Sequence, residues 1–282
     1  MRLILVGLFA VCLASIAAAK PSLQDKLKNL VPASSYKSNF VFIQRLFKNE
    51  KAFYNGNSID IAKVLSTLRA NGLLNLKLDK PSNVVLSFKI KESKDAKLSP
   101  LFLAYTTSSL LSSMGYSYFY VTQAQKMQGN LSLSYTLNAE AAVDPTVIVS
   151  SLSDRGYRIL DVSREGATGW VYDLVLERPN LANMSKLVEG ELNLNHISGK
   201  YWVLAQARGE LKITPSEATI WNPKILIFDS SMNLIDSVLS NEKKKSYLLE
   251  INQEPCFVLI TDNYTPANLR NGLVITFKPY KD

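Results

Sequence analysis

The chain has 282 residues, 47% of them apolar and 20% charged. That balance excludes collagen-like, low-complexity and wholly disordered chains, and the length suggests two or three domains. The formal charge of +8 is placed unevenly: Lys20 to Lys97 carry 15 basic and 6 acidic residues, Leu98 to Glu189 carry 6 and 8, and Gly190 to Asp282 carry 10 and 10.

Residues 1–19 read as a secretory signal peptide. Arg2 supplies a positive start, Leu3 to Ala14 an apolar run, and Ala17-Ala18-Ala19 a small-residue cleavage site near Ala19. The apolar run is too short to cross ~30 Å of hydrocarbon comfortably. Val11 before Cys12 stands where a lipoprotein signal carries a small residue, which argues against lipidation. No later stretch is long and apolar enough to span a membrane. The expected location is therefore periplasmic or secreted, with a mature chain beginning near Lys20.

Cleavage leaves Cys256 as the one cysteine, so no internal disulfide is expected and stability must come from cores. Missing bridges at this size suit a bacterial exported protein. Three Asn-x-Ser/Thr matches, at Asn130, Asn183 and Asn263, then read as chance. An exported chain seldom meets nucleic acid. Its basic first third would attract anionic lipid headgroups, lipopolysaccharide or an acidic protein face, screened beyond ~8–10 Å. Ordinary solvated lysine is the plainer alternative.

Residues 20–56 are expected to hold short helices, Leu23 to Leu30 and Val41 to Phe47 among them. Residues 57–189 carry a pattern used three times: Ser-x-Leu, three residues, Gly, then an apolar strand. The copies end at Gly72, Gly115 and Gly156, spaced 43 and 41 residues apart. In the first, Asn57-Ser58 would cap a helix with Ile59, Ile61, Ala62, Val64, Leu65 and Leu68 on one stripe. Gly72 suits a left-handed helix end. Leu74 to Leu78 and Val84 to Ile90 would form a hairpin around Pro81-Ser-Asn83. The second copy places a helix at Leu101 to Met114 and strands at Tyr116 to Gln123 and Leu131 to Leu137. The third opens at Asp144-Pro145, with strands at Tyr157 to Arg164 and Trp170 to Glu177 around Gly166-Ala-Thr-Gly169.

The region thus reads as three αββ repeats forming two-layer α/β modules, helices on one sheet face. The order of elements and the Leu-x-x-x-Gly-apolar junction resemble the BON domain and the periplasmic N-domains of secretins. That resemblance implies binding of lipid or other proteins without chemistry.

Residues 190–282 carry short strands and turns without helices. Candidate strands are 191–197, 201–207, 210–213, 218–221, 224–228, 234–239, 246–251, 256–261 and 273–279, as in an antiparallel β-sandwich. The runs Ile225 to Asp229, Leu248 to Ile251, Phe257 to Asp262 and Val274 to Phe277 resemble small jelly-roll modules attached to secreted bacterial enzymes. Lys243-Lys-Lys245 reads as a solvated loop that discourages edge pairing. The overall layout is similar to uncharacterised secreted proteins of epsilon-class proteobacteria.

The fold class expected is therefore α+β, followed by a sandwich. Binding candidates are Lys77, Lys89 and Lys91, the outward row Tyr116, Tyr118 and Tyr120, and Trp202 and Trp221 as sugar-stacking rings. The tyrosines equally suit strand propensity or domain packing, and the tryptophans a core. His196 is the one histidine, and no Gly-x-Ser-x-Gly elbow, zinc-ligand spacing or phosphate loop accompanies it. No catalytic residue, metal or cofactor is expected, although paired carboxylates meeting in space would leave no sequence signature. Cys256 in an apolar strand reads as core. The functions that fit are an envelope-protein scaffold or assembly adaptor, a glycan- or lipid-binding module, and third a hydrolase with a carboxylate site. The sequence leaves oligomeric state open.

Overall fold

The computed structural model describes residues 21–91, 100–127, 129–181 and 183–281; the expected signal peptide lies outside them. Helix α1 spans Leu23–Leu30, as its i, i+4, i+7 leucines predict, with Leu23, Leu27 and Leu30 buried and Ser22 accepting the Asp25 N–H. Helices α2 (Ala33–Ser38) and α3 (Phe40–Leu46) follow; α3 starts one residue before its expected position, and α2 carries too few apolar residues to signal itself. A short ribbon, β1 (Tyr54–Asn55) with β2 (Ser58–Ile59), precedes α4 (Ile61–Ala70). The cap of α4 is Asp60, which accepts the Lys63 N–H, so the helix begins beyond the expected Asn57-Ser58.

The first copy does not form a hairpin. Strand β3 runs without a turn from Lys77 to Lys91. Its register shifts between Lys77 and Ser82, and Pro81, which lacks an N–H, sits in that irregular stretch. The other two copies do form helix and hairpin: α5 (Pro100–Ser113) with β4 (Tyr120–Met127) and β5 (Asn130–Ala141), and α6 (Pro145–Asp154) with β6 (Tyr157–Glu165) and β7 (Gly169–Leu176). Asp144 caps α6 with proline in its first turn. All three junction glycines adopt positive φ.

These strands build one sheet, in the order β4-β5-β3-β7-β6, with β3 central and parallel to β7. Alternation decides its faces. Val84, Leu86, Phe88 and Ile90 are buried with Leu131, Leu133, Tyr135, Trp170 and Tyr172 in a core shared with all six helices. Two threonine hydroxyls of α5 tie it to this face, Thr106 to the Tyr157 hydroxyl at 3.0 Å and Thr107 to the Tyr135 hydroxyl at 2.9 Å. The N-terminal helices share the same core. The Asn29 side chain of α1 exchanges two hydrogen bonds with the backbone of Arg164, and Lys26 bonds Asp161 and the Val162 carbonyl. The outer edge of β6 is thereby covered.

The remainder is a β-sandwich. Strands are β8 (Met184–Lys186), β9 (Gly190–Leu194), β10 (Tyr201–Ala205), β11 (Gly209–Pro215), β12 (Pro223–Asp229), β13 (Leu234–Leu239), β14 (Tyr247–Ile251), β15 (Cys256–Asp262) and β16 (Leu273–Pro279). One sheet has the order β13-β12-β15-β10-β8 and the other β14-β11-β16-β9. The expected strand at 218–221 is a short 3₁₀ turn and one bridge from Trp221 to Lys244. Strand β8, parallel to β10, was not visible in sequence because three residues show no periodicity.

Strand β10 divides its side chains between two cores. Tyr201, Val203 and Ala205 enter the sandwich, whereas Trp202 and Leu204 pack with the helical layer. Phe257 of β15 does the same against Phe102 of α5, at 6.1 Å between ring centroids. The centre of the five-stranded sandwich sheet, β10 and β15, is thus covered on both faces while its edge strand β13 stays exposed, and the layers stack as sheet, helices, sheet, sheet. Continuous apolar runs such as Cys256 to Ile260 have this cause.

Candidate binding face

The helices cover one face of the β4-β5-β3-β7-β6 sheet; the other is open. Ser87, Lys89 and Lys91 project from β3, because they alternate with the buried Leu86, Phe88 and Ile90. Register sets Ser132 and Asp173 on either side of Lys89, and Asn130 and Val175 beside Lys91. A shallow trough of about 490 Å³ runs over this face, walled on one side by Gln123, Gln125 and Met127 of β4. Its lining is mixed, with Val171 beside the serines and Asp173 and Glu165 among the polar groups; the Ser87 and Ser134 hydroxyls lie 2.9 Å apart. Two carboxylates share this face with the lysines: Asp173 stands beside Lys89 on the neighbouring strand, and Glu165 lines the same trough.

Strand β4 bounds this face and, among the described residues, is the outermost strand of the sheet. All eight of its residues are exposed, with Lys126 the one charge among them. Native edges are usually short, charged, bulged, or interrupted by proline or a cover. Here β6, at the opposite edge, is covered by α1, whereas among the described residues β4 has one register irregularity, between Val121 and Gln123, and no covering element. An extended segment laid beside β4 would find unpaired backbone groups and the trough together.

The other candidates disperse. Lys77 pairs with Ala141 and Lys89 with Ser132 on β5, which sets the two lysines on the order of 30 Å apart at ~3.3 Å per residue. Lys77 lines a separate groove of about 530 Å³ with Lys28, Lys80 and Arg164. The tyrosine row is only partly formed, since β4 starts at Tyr120 and not at Tyr116. Tyr116 is half-buried against the core, Tyr118 is 91% exposed ahead of the strand, and Tyr120 is exposed opposite Thr136. Phe119 does turn inward, edge-on to Tyr135 at 5.6 Å. Val121, which alternation would also turn inward, is 50% exposed, and among the described residues no helix reaches over this outermost strand.

Trp202 is half-buried between Tyr105 and Phe228, 5.5 and 5.6 Å from their rings. Trp221 is fully buried in the sandwich, so it offers no face to a sugar. His196 occupies a tight turn, where its Nδ1 lies 2.7 Å from the Ser198 hydroxyl. That hydroxyl also interacts with the Lys200 backbone, which makes the pair a local turn device. Cys256 is buried, and desolvation pushes its thiol up to about 11. Among the described residues no group of three His, Cys, Asp or Glu side chains is placed to hold a metal ion.

The buried ionic groups serve the fold. Arg164 is 8% exposed, and its guanidinium donates to the carbonyls of Leu74, Asn75, Gly166 and Ala167 while lying over Trp170. Burial lowers its pKa from the usual arginine value. Asp262 is buried; its carboxylate accepts the N–H groups of Asn222, Tyr264 and Thr265. Desolvation alone would raise that carboxyl, but the three backbone donors and the Asn268 side chain together hold it below the ordinary value.

Sequence reasoning reached Lys89 and Lys91 but not the β4 edge. The missing signal was length: the strand was expected to end at Gln123, because Thr122 to Gln125 carries no apolar alternation. Compared with known proteins, the chain matches no family model and no curated sequence.

Proposed function

We propose that this chain is an exported, non-enzymatic envelope protein, a scaffold or assembly adaptor that receives a partner protein along β4 and the adjoining open sheet face. The exposed edge carries this reading: eight residues, one charge, and a trough of mixed lining beside it. Backbone pairing along β4 would give affinity, and Lys89, Lys91 and the glutamines of β4 would set which strand fits. Lys89 and Lys91, set beside Asp173 and Glu165, favour a partner segment that presents charges of both signs to this face. The export reading rests on Arg2, the apolar run Leu3 to Ala14 and Ala17 to Ala19.

Photo-crosslinking in living cells tests this. A photoreactive residue at Thr122 or Gln125 is expected to capture one discrete envelope protein, identified by mass spectrometry. The same group at Glu217, on the sandwich, serves as the comparison. Lys89→Glu with Lys91→Glu is expected to weaken capture at least fivefold. Equal capture from all three positions, or none from β4, would overturn the reading.

A further inference from the structure

Among the described residues, helix α3 opens with three consecutive exposed large apolar side chains. Ile43 and Phe47 fix α3 to the core, at 0% and 1% exposure. At the start of the helix, Phe40, Val41 and Phe42 are consecutive and exposed, at 47%, 70% and 42%. Three successive large apolar residues cannot all lie on the buried stripe of a helix, because neighbours are turned by about 100°. Phe40 makes one edge-on contact, with Tyr36 at 6.0 Å.

Their surroundings are basic. Lys37, Arg45, Lys48 and Lys51 are all exposed in this segment, and Glu50 is the one acid between Ala33 and Ala52. Glu50 already accepts a hydrogen bond from Gln24. Val41 and Arg45 are one helical turn apart, on the side away from Ile43 and Phe47. Aromatic and aliphatic groups rimmed by lysine and arginine are the composition of a helix that lies in a membrane interface. Rings enter the headgroup boundary, while cations meet anionic phosphates. Among the described residues no helix is long and apolar enough to cross a membrane, so the contact would be peripheral.

We infer that α3, with its basic rim, docks this protein on the surface of an anionic lipid bilayer. The surface is separate from the β4 edge, so a partner protein and a membrane would be engaged at once. An uncharged or purely apolar occupant would leave the basic rim without a counterpart. Charge complementarity therefore favours lipid over a second copy of this chain, whose like rim would repel it.

The experiment uses the processed protein recovered after export and 100 nm vesicles of phosphatidylcholine, with or without an equal share of phosphatidylglycerol. Wild type is expected to co-sediment with the anionic vesicles and to be released by 0.5 M salt. Phe40→Ser/Val41→Ser/Phe42→Ser is expected to lower the partition coefficient at least tenfold, and Lys37→Glu/Lys48→Glu/Lys51→Glu at least fivefold. Both variants carry the wild-type N-terminus, so residues before α1 do not account for a difference. Ile197→Ser, at a site 88% exposed on the sandwich, is expected to bind as wild type. A Phe40→Trp variant adds a direct reading, through quenching by brominated lipid beyond that of the native tryptophans. Wild type left in solution with anionic vesicles, unchanged binding by the triple serine variant, or a dimer that this variant dissociates without vesicle binding would each overturn the inference.

Discussion

The Phe102 ring of α5 lies nearly parallel to the Phe257 ring of β15, 23° apart in plane and 6.1 Å between centroids. Both side chains are almost fully buried. This contact joins the helical layer to the outer face of the sandwich, so the two parts of the chain share buried area. Truncation of Phe102 to alanine leaves a cavity at that joint and is expected to cost about 3–5 kcal/mol. The double variant with Phe257→Ala is expected to show a coupling of about 0.5–1.5 kcal/mol beyond simple addition. Urea unfolding measures both. Strictly additive costs would mean that the rings touch without stabilising each other.

The three junction glycines look alike in sequence but sit in different surroundings. Gly72 and Gly115, at φ +68° and +90°, have open space where a Cβ would go. Gly156, at φ +86°, has the Arg178 carbonyl there, well inside van der Waals distance. Alanine at Gly72 or Gly115 is expected to cost the left-handed strain alone, about 1–2 kcal/mol. At Gly156 the backbone after β7 must also move, and Glu177 and Arg178 would lose their hydrogen bonds to the Gly156 carbonyl. Thermal midpoints of the three single variants should therefore rank Gly156→Ala well below the other two. Equal midpoints would show that the Arg178 carbonyl is free to yield.

Much of the architecture follows from periodicity. The leucines of α1, the stripe of α4, the Asp144-Pro145 start of α6 and eight of the nine candidate sandwich strands lie close to where apolar spacing and turn residues place them. Pairing does not follow so simply. Pro81-Ser-Asn83 has the composition of a turn, yet it is absorbed into β3 at its one-sided end, where β5 alone pairs it and the register shifts, while β7 joins only from Val85. Which strands neighbour one another is decided by long-range packing, so two hairpins and one lone strand merge into a single sheet. The candidate site follows the same division. Lys89 and Lys91 were visible because alternation fixes the face they occupy, whereas Tyr116 was drawn into the core by contacts that no local pattern encodes. Val41 and Phe42 lay inside an expected helix and Phe40 just before it, and only the placement of α3 on its neighbours reveals which side is bare.

Arg164 holds two connections together without a carboxylate. Its donors reach Leu74 and Asn75 before β3, and Gly166 and Ala167 between β6 and β7. Methionine fills similar volume but leaves these carbonyls short of partners, at about 1–3 kcal/mol for each one that stays buried. Arg164→Met is expected to lower the thermal midpoint by several degrees. Arg164→Lys should recover little, because an ammonium cannot span four carbonyls set around a planar fork. Hydrogen exchange at the β6–β7 turn would rise in both. A lysine variant as stable as wild type would show that charge alone, and not fork geometry, is what the site requires.

Acid should unfold the protein partly through Asp262. Its folded-state pKa is depressed because the Asn222, Tyr264 and Thr265 amides and the Asn268 side chain outweigh the cost of burial. A depressed carboxyl contributes stability above its unfolded pKa, near ~3.9, and that contribution is lost as pH falls through the folded value. Asp144 has the same sign. Burial opposes its charge, but Thr146 and Arg69 hold its carboxyl below the ordinary value. Wild type should therefore keep a constant urea midpoint from pH 7 to about pH 5 as far as these two groups are concerned, then decline below pH 4. Asp262→Asn retains the shape but presents an NH₂ to backbone donors, so its midpoint should be lower at pH 6. Because the variant lacks the titrating group, the gap to wild type should narrow steadily between pH 4 and pH 2.5. A gap that stays the same across that range would mean that the Asp262 carboxyl titrates alike in the folded and unfolded chains.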